Sequence, residues 1–163
     1  MKEIIFAIAV IILLCVAVEV LKKNKKVYMI CVLFISVLYL CGLVYFTQIR
    51  GNRVNISGIS VKFPLPFAKA IINRRFGLVA KRSLLNLLLF VPFGYLLPNV
   101  VVSFGKRVTW WQVMVFGFVT SLIIETCQLL FHRGVYELDD LVKNTLGAVI
   151  GFILFTIFER ITS

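Results

Sequence analysis

Five long apolar runs constrain the fold of this chain more than any other feature of its sequence. Each run is close to the roughly 20 residues that an α-helix needs to cross a bilayer, and none has the polar outer face of a water-exposed helix. Hydrophobic residues make up 61% of the 163 residues, against about half in a soluble domain. The sequence therefore predicts an all-α fold, a polytopic membrane helical bundle with five transmembrane helices over residues 4–21, 27–46, 84–103, 109–131 and 141–158.

The first apolar run could be a cleaved signal peptide or a retained transmembrane helix. Signal peptides carry their cations before the apolar core and a small-residue cleavage site after it. Here only Lys2 precedes the core, and the cationic block at residues 22–26 follows it. We therefore expect a retained helix. The net charge is +11, and the cationic residues lie between the predicted spans. This placement favours anionic lipid headgroups rather than nucleic acid as the partner.

The basic segments predict which side of the membrane each connection faces. With the N-terminus outside, seven cations would be cytoplasmic, four of them in the connection at residues 22–26. The opposite orientation would make eleven cations cytoplasmic, eight of them in the loop at residues 47–83. The positive-inside bias acts most directly on short connections close to the spans, whereas the second loop is 37 residues long. We therefore expect the N-terminus outside and the C-terminus in the cytoplasm.

The outer loop at residues 47–83 contains no acidic residue. Residues 51–58 are rich in turn formers and predict irregular structure or a short hairpin. Over residues 67–79 the apolar positions recur at helical spacing. That pattern favours a basic, amphipathic helix in the membrane interface, and a solvated connector is the alternative. Five loop cations are expected to bind a phosphate or carboxylate: Lys69, Arg74, Arg75, Lys81 and Arg82.

Polar side chains cluster at one end of the last three predicted spans, whichever orientation is correct. Carboxylates and amides are costly in such segments and tend to be retained for function. Glu125 lies about six residues inside the end of its span, or ~9 Å. At that depth its carboxylate should be protonated, paired with Arg133 or Lys143, or turned to a water-filled pocket. The predicted site residues are Asn86, Glu125, Gln128, Arg133, Glu137, Asp140 and Asn144.

Several of these residues also have a purely structural interpretation. Asp140 can cap the fifth helix, because acids stabilise a helix N-terminus, and Glu125 can make a polar contact that only joins two helices. Gly147 and Gly151 have the spacing that permits close helix approach. His132 is a lone histidine with too few partners for zinc, so the sequence predicts no metal site.

At these positions the chain resembles the VanZ-like family of bacterial membrane proteins. The resemblance covers roughly residues 27–158, which makes residues 1–26 an extra N-terminal transmembrane helix and basic loop before a VanZ-like membrane domain at residues 27–163. Two positions depart from the family pattern, because Phe63 stands where an Asn often occurs and Arg133 is shifted by one position. The motifs that carry the resemblance are Asn86-x3-Phe90-x-Pro92-Phe93-Gly94, Glu125-x2-Gln128 and Glu137-x2-Asp140-x3-Asn144-x2-Gly147-x3-Gly151.

The resemblance implies a multi-pass protein of the bacterial cell membrane, in a family whose founding member is associated with low-level resistance to teicoplanin and related lipoglycopeptides. It assigns no reaction and no cofactor. The leading hypothesis is an outward-facing polar pocket that binds or shields an amphiphile, such as a lipid-linked cell-wall precursor, an anionic membrane lipid or a lipoglycopeptide. One alternative is an enzyme acting on a lipid headgroup, with Glu125 as the general base or with grouped carboxylates holding Mg²⁺. The other is a structural accessory subunit.

Overall fold

Five long helices make up most of the part of the chain that the structure describes. The computed structural model describes residues 2–49, 59–60, 76–131 and 136–162. Within them, each helix is long and apolar enough to cross a membrane, which confirms the predicted all-α bundle of five spans. The helices are α1 (Lys2–Leu21), α2 (Lys25–Val44), α3 (Phe76–Ser103), α4 (Trp110–Leu130) and α5 (Leu138–Thr162).

Two helices begin at least three residues earlier than the hydropathy of the sequence predicts. Helix α5 starts at Leu138 rather than at residue 141, and the extra turn carries two acids, which are favoured near a helix N-terminus. Helix α3 starts at Phe76 rather than at residue 84, so the last residues of the predicted interfacial helix belong to α3. The rest of that predicted segment, residues 67–75, lies outside the described residues.

Two very short strands join the long loop to the start of α5. Strand β1 (Ile59–Ser60) pairs in parallel with β2 (Tyr136–Glu137), so that Ser60 lies opposite Glu137. The hairpin predicted for residues 51–58 lies outside the described residues. The described pairing instead joins segments that are far apart in the sequence, since β1 lies before α3 and β2 lies directly before α5.

Helices α3 and α5 run parallel and make backbone contact through glycines. A Cβ on Gly151 would lie 2.8 Å from the Gly94 Cα and would collide with the Val91 carbonyl. One turn earlier, a Cβ on Gly147 would collide with the Leu87 carbonyl. Small residues permit such approach between membrane helices, so the close contact predicted for this pair of α5 glycines is confirmed.

A buried polar network joins α1 and α2 to α3 at the opposite end from the predicted site. The Tyr95 hydroxyl on α3 donates to the Glu19 carboxylate of α1 at 2.9 Å, and the Lys22 ammonium group lies 2.8 Å from the same carboxylate. The Tyr28 hydroxyl on α2 donates to Asn99 Oδ1 at 2.8 Å, and the Asn99 amide donates to the Tyr95 carbonyl. This network was not predicted from the sequence. Its hydrogen bonds make α1 part of the packed bundle.

Candidate functional site

One end of the bundle brings together the ends of four helices. The last turns of α2 and α4 meet the first turns of α3 and α5 there. Helices α2 and α4 therefore run antiparallel to α3 and α5, which are parallel to each other. We call this region the polar end. Every predicted binding residue that the structure describes lies in it, namely Asn86, Glu125, Gln128, Glu137, Asp140 and Asn144.

Glu125 is buried in the last part of α4, five residues before the helix ends at Leu130. Only 3% of the residue is exposed. Its Oε2 atom accepts a hydrogen bond from the Glu137 backbone N–H at 3.0 Å, so the carboxylate joins α4 to the start of α5. A carboxylate at this depth is costly unless it is hydrogen-bonded or faces water, and one of its two oxygens is satisfied by the main chain.

Of the two cations that the sequence placed near Glu125, the one that the structure describes, Lys143, pairs with other acids. The Lys143 ammonium group contacts the Asp139 carboxylate and lies 3.4 Å from Asp140 Oδ1. Arg133 lies outside the described residues. Lys143 therefore neutralises the two acids in the first turn of α5. Among the described residues, the Glu125 carboxylate accepts its hydrogen bond from the Glu137 main chain.

Asn144 forms a second buried contact between α4 and α5. Its amide nitrogen donates to Ser121 Oγ at 2.9 Å, and both side chains are buried. Its Oδ1 atom is also buried but has no hydrogen-bond partner among the described residues. A buried acceptor left unpaired costs about 1–3 kcal/mol. Asn144 is thus a position where the packing of the described residues leaves an acceptor open to a donor from elsewhere.

Ser121 and Thr47 contribute to the site although the sequence analysis did not select them. Ser121 precedes Glu125 by four residues, which places both on one face of α4. That spacing could have identified Ser121 from the sequence. The Gln128 amide donates to the Thr47 carbonyl at 3.1 Å, at the single π-helical turn, Tyr45–Ile49, that continues α2. The sequence gives no signal for a hydrogen bond to a backbone carbonyl, because every residue has one. Turns of π-helix are frequent at functional sites.

Asn86 lies on α3, beside the glycine contact with α5. The next residue, Leu87, faces Gly147, and Asn144 lies three residues before that glycine. Because α3 and α5 run parallel, Asn86 and Asn144 lie within about one helical turn of the same height. Asn86 is partly buried. The structure thus brings Asn86 to the same level of the bundle as Asn144.

Only one of the five predicted loop cations has a described side chain. The Lys81 ammonium group pairs with Glu3 of α1 at 2.8 Å and is partly exposed. The side chain of Arg82 and the whole of Lys69, Arg74 and Arg75 lie outside the described part of the structure. Across residues 2–49, 59–60, 76–131 and 136–162, no three His, Cys, Asp or Glu side chains are grouped as metal ligands.

Comparison with known proteins identifies the family. The sequence profile of the VanZ/LLP1 family matches residues 26–159, from the start of α2 almost to the end of α5. A relative, Protein VanZ of Enterococcus faecium, is 34% identical over 75 residues, which are 46% of this chain and 44% of that protein. The match thus spans less than half the length of this relative. No solved structure matches the chain. The family profile covers most of the chain, which therefore belongs to the VanZ/LLP1 family.

Proposed function

We propose that the polar end is a recess that binds the polar head of a cell-envelope amphiphile. The observation that carries the proposal is the buried Asn144 Oδ1 without a partner among the described residues, on the helix pair that also buries Glu125. Polar groups that only join helices would satisfy one another, because unpaired buried acceptors are destabilising. An open acceptor at a helix end is suited to a donor supplied by a ligand.

The chemistry of the polar end selects a class of ligand. Glu125 has one carboxylate oxygen beyond the one bonded to Glu137, and Asn144 presents a second acceptor. Both would accept hydrogen bonds from hydroxyl, amide or ammonium groups. The loop cations would bind a phosphate or carboxylate of the same molecule. A lipid-linked cell-wall precursor and a lipoglycopeptide both combine an apolar chain with such groups.

The distribution of cations supports an outward-facing polar end. The opposite end carries four lysines, two in the short connection between α1 and α2 and two in the first turn of α2, where the positive-inside bias is strongest. Lys106 and Arg107 lie at the same end, between α3 and α4. In this orientation the N-terminus and the recess face the outside, where lipoglycopeptide antibiotics act. A role in resistance to teicoplanin follows, by binding the drug or by shielding its target.

The test compares two glutamate variants in a teicoplanin-susceptible host that lacks the chain. Glu125→Gln keeps the shape of the side chain and removes the charge at the polar end. Glu159→Gln is the matched control, an exposed glutamate at the opposite end. We expect the first variant to lose most of the protection at unchanged membrane abundance and the second to protect as the wild type does. Full protection by Glu125→Gln at equal abundance would refute the proposal.

A structural role is the second candidate, because two polar side chains of the site bond across helices. Gln128 joins α4 to α2, and Asn144 joins α4 to α5. If the polar end only held the helices together, Glu125→Gln would lower membrane abundance. The protein that remained would then protect in proportion to its amount, which distinguishes this candidate from a binding recess.

A further inference from the structure

An apolar groove opens between α4 and α5 at the end of the bundle opposite the polar end. Its volume is about 420 Å³, and Trp110 at the start of α4 forms one wall. The other wall is a stripe on α5 made by Val149, Ile153, Thr156 and Arg160. These residues recur at helical spacing, so they share one face of α5. The groove therefore follows the axis of α5 and ends at a cation.

The groove exists because α4 and α5 touch nearer the polar end. A Cβ on Gly117 would lie only 2.7 Å from the Ala148 Cβ, so the two helices meet closely at that level. Beyond this contact, the wall that α4 supplies to the groove is the Trp110 side chain. Trp110 is 56% exposed and Ile153 is 50% exposed. The groove is thus open sideways, toward the hydrocarbon of a surrounding bilayer.

The length of the groove matches one lipid chain in one leaflet. From Val149 to Arg160 there are eleven residues of helix, or ~16 Å at 1.5 Å per residue. Half of a hydrocarbon core of about 30 Å is ~15 Å. Tryptophan marks the boundary between hydrocarbon and headgroups in membrane proteins. We therefore expect Trp110 and Arg160 near the headgroups and Val149 near the middle of the bilayer.

The charge at the open end of the groove is positive. Arg160 is exposed and forms no ion pair within 4 Å with any carboxylate of the described residues. Its neighbour Glu159 is the acid closest in sequence. Lys106 and Arg107, also exposed, precede Trp110 by a few residues. An arginine binds phosphate oxygens in a bidentate geometry, so this end complements an anionic headgroup.

We propose that this groove is a binding site for an anionic phospholipid, with one acyl chain against α5 and the phosphate on Arg160. The site is separate from the proposed recess, because it lies at the other end of the bundle and uses none of the same residues. Annular lipid would cover the same apolar surface without preferring one headgroup. The proposed site instead prefers an anionic headgroup, and this preference depends on both Arg160 and the groove wall.

The experiment is native mass spectrometry of the full chain in detergent with equimolar phosphatidylglycerol and phosphatidylcholine of identical acyl chains. Arg160→Gln removes the cation, Ile153→Trp fills the groove without changing charge, and Lys23→Gln removes an exposed cation at the same end outside the groove. All three positions are exposed, so the variants keep the helix packing. One cation near a headgroup changes affinity about fivefold.

We expect the wild type and Lys23→Gln to retain phosphatidylglycerol preferentially. Arg160→Gln should lower that preference about fivefold, and Ile153→Trp should reduce binding of both lipids. Equal losses in Arg160→Gln and Lys23→Gln would mean general charge attraction and would overturn the proposal. Undiminished binding by Ile153→Trp would show that no chain lies in the groove and would overturn it equally. Neither result bears on the recess at the polar end.

Discussion

Replacing Asn144 by leucine should stabilise the protein while removing its function. The substitution keeps a side chain of similar length and eliminates both polar atoms at a buried position that is 6% exposed. The hydrogen bond from the Asn144 amide to Ser121 is lost. The buried Oδ1 atom without a described partner is lost as well. The two changes act on stability in opposite directions.

The magnitudes decide the sign. A hydrogen bond between membrane helices contributes on average about 0.6 kcal/mol and at most about 1.7. An unpaired buried acceptor costs about 1–3 kcal/mol. The Ser121 hydroxyl can turn to the carbonyl four residues before it, as buried serines in helices do, so the variant leaves no donor unpaired. The expected change is therefore a gain of roughly 0.5–2 kcal/mol in the free energy of unfolding.

Asn99→Leu provides the matched control. Asn99 is a fully buried asparagine on α3, and both ends of its amide are bonded, the nitrogen to the Tyr95 carbonyl and the oxygen to the Tyr28 hydroxyl. Its replacement should lower the free energy of unfolding by about 1–3 kcal/mol. Reversible unfolding in mixed detergent and lipid micelles measures both variants. If Asn144→Leu destabilises the protein as much as Asn99→Leu does, the reasoning about an open acceptor is refuted.

Two further predictions concern the packing that supports the site. Gly151→Ala should destabilise the bundle by about 1–3 kcal/mol, because its Cβ would meet the α3 backbone at Val91 and Gly94; Gly42→Ala, with open space around its Cβ, should be neutral or more stable by up to about 1 kcal/mol. The same unfolding assay decides, and equal effects of the two substitutions would contradict the proposed helix contact. Tyr95→Phe removes the hydrogen bond to Glu19 and should loosen α1, so trypsin should cleave the lysine-rich connection before α2 faster than in the wild type. An unchanged cleavage rate would show that other contacts suffice to hold α1.

The spans and the buried polar positions of the candidate site could be predicted from the sequence, because each carries a strong local signal. A bilayer requires long apolar runs, so helix number followed from hydropathy. Glu125 and Asn144 stood out because ionisable and amide groups are rare in apolar segments. The ends of the helices were less predictable. Helix α5 begins three residues earlier than predicted, in a polar segment. Acids stabilise its N-terminus there, and a hydropathy profile does not show that effect.

The contacts between distant segments could not be predicted. Glu19 carries the same signal as any acid at the end of a span, and its bond to Tyr95 depends on how α1 packs against α3. The bond from Gln128 ends on a backbone carbonyl, which every residue possesses. The pairing of Ile59–Ser60 with Tyr136–Glu137 involves two residues on each side, too few for a periodic pattern. These contacts depend on three-dimensional proximity rather than on local sequence.

The proposed headgroup site at the polar end uses the open acceptors of Asn144 and Glu125. The most direct measurement is an experimental structure of the full chain in a lipid bilayer, determined with a lipid-linked cell-wall precursor present. The proposed site predicts density for a polar group of that molecule within hydrogen-bonding distance of Asn144 Oδ1, on the outer side of the membrane. A structure in which donors of the protein itself occupy Asn144 Oδ1 and enclose the Glu125 carboxylate would contradict it.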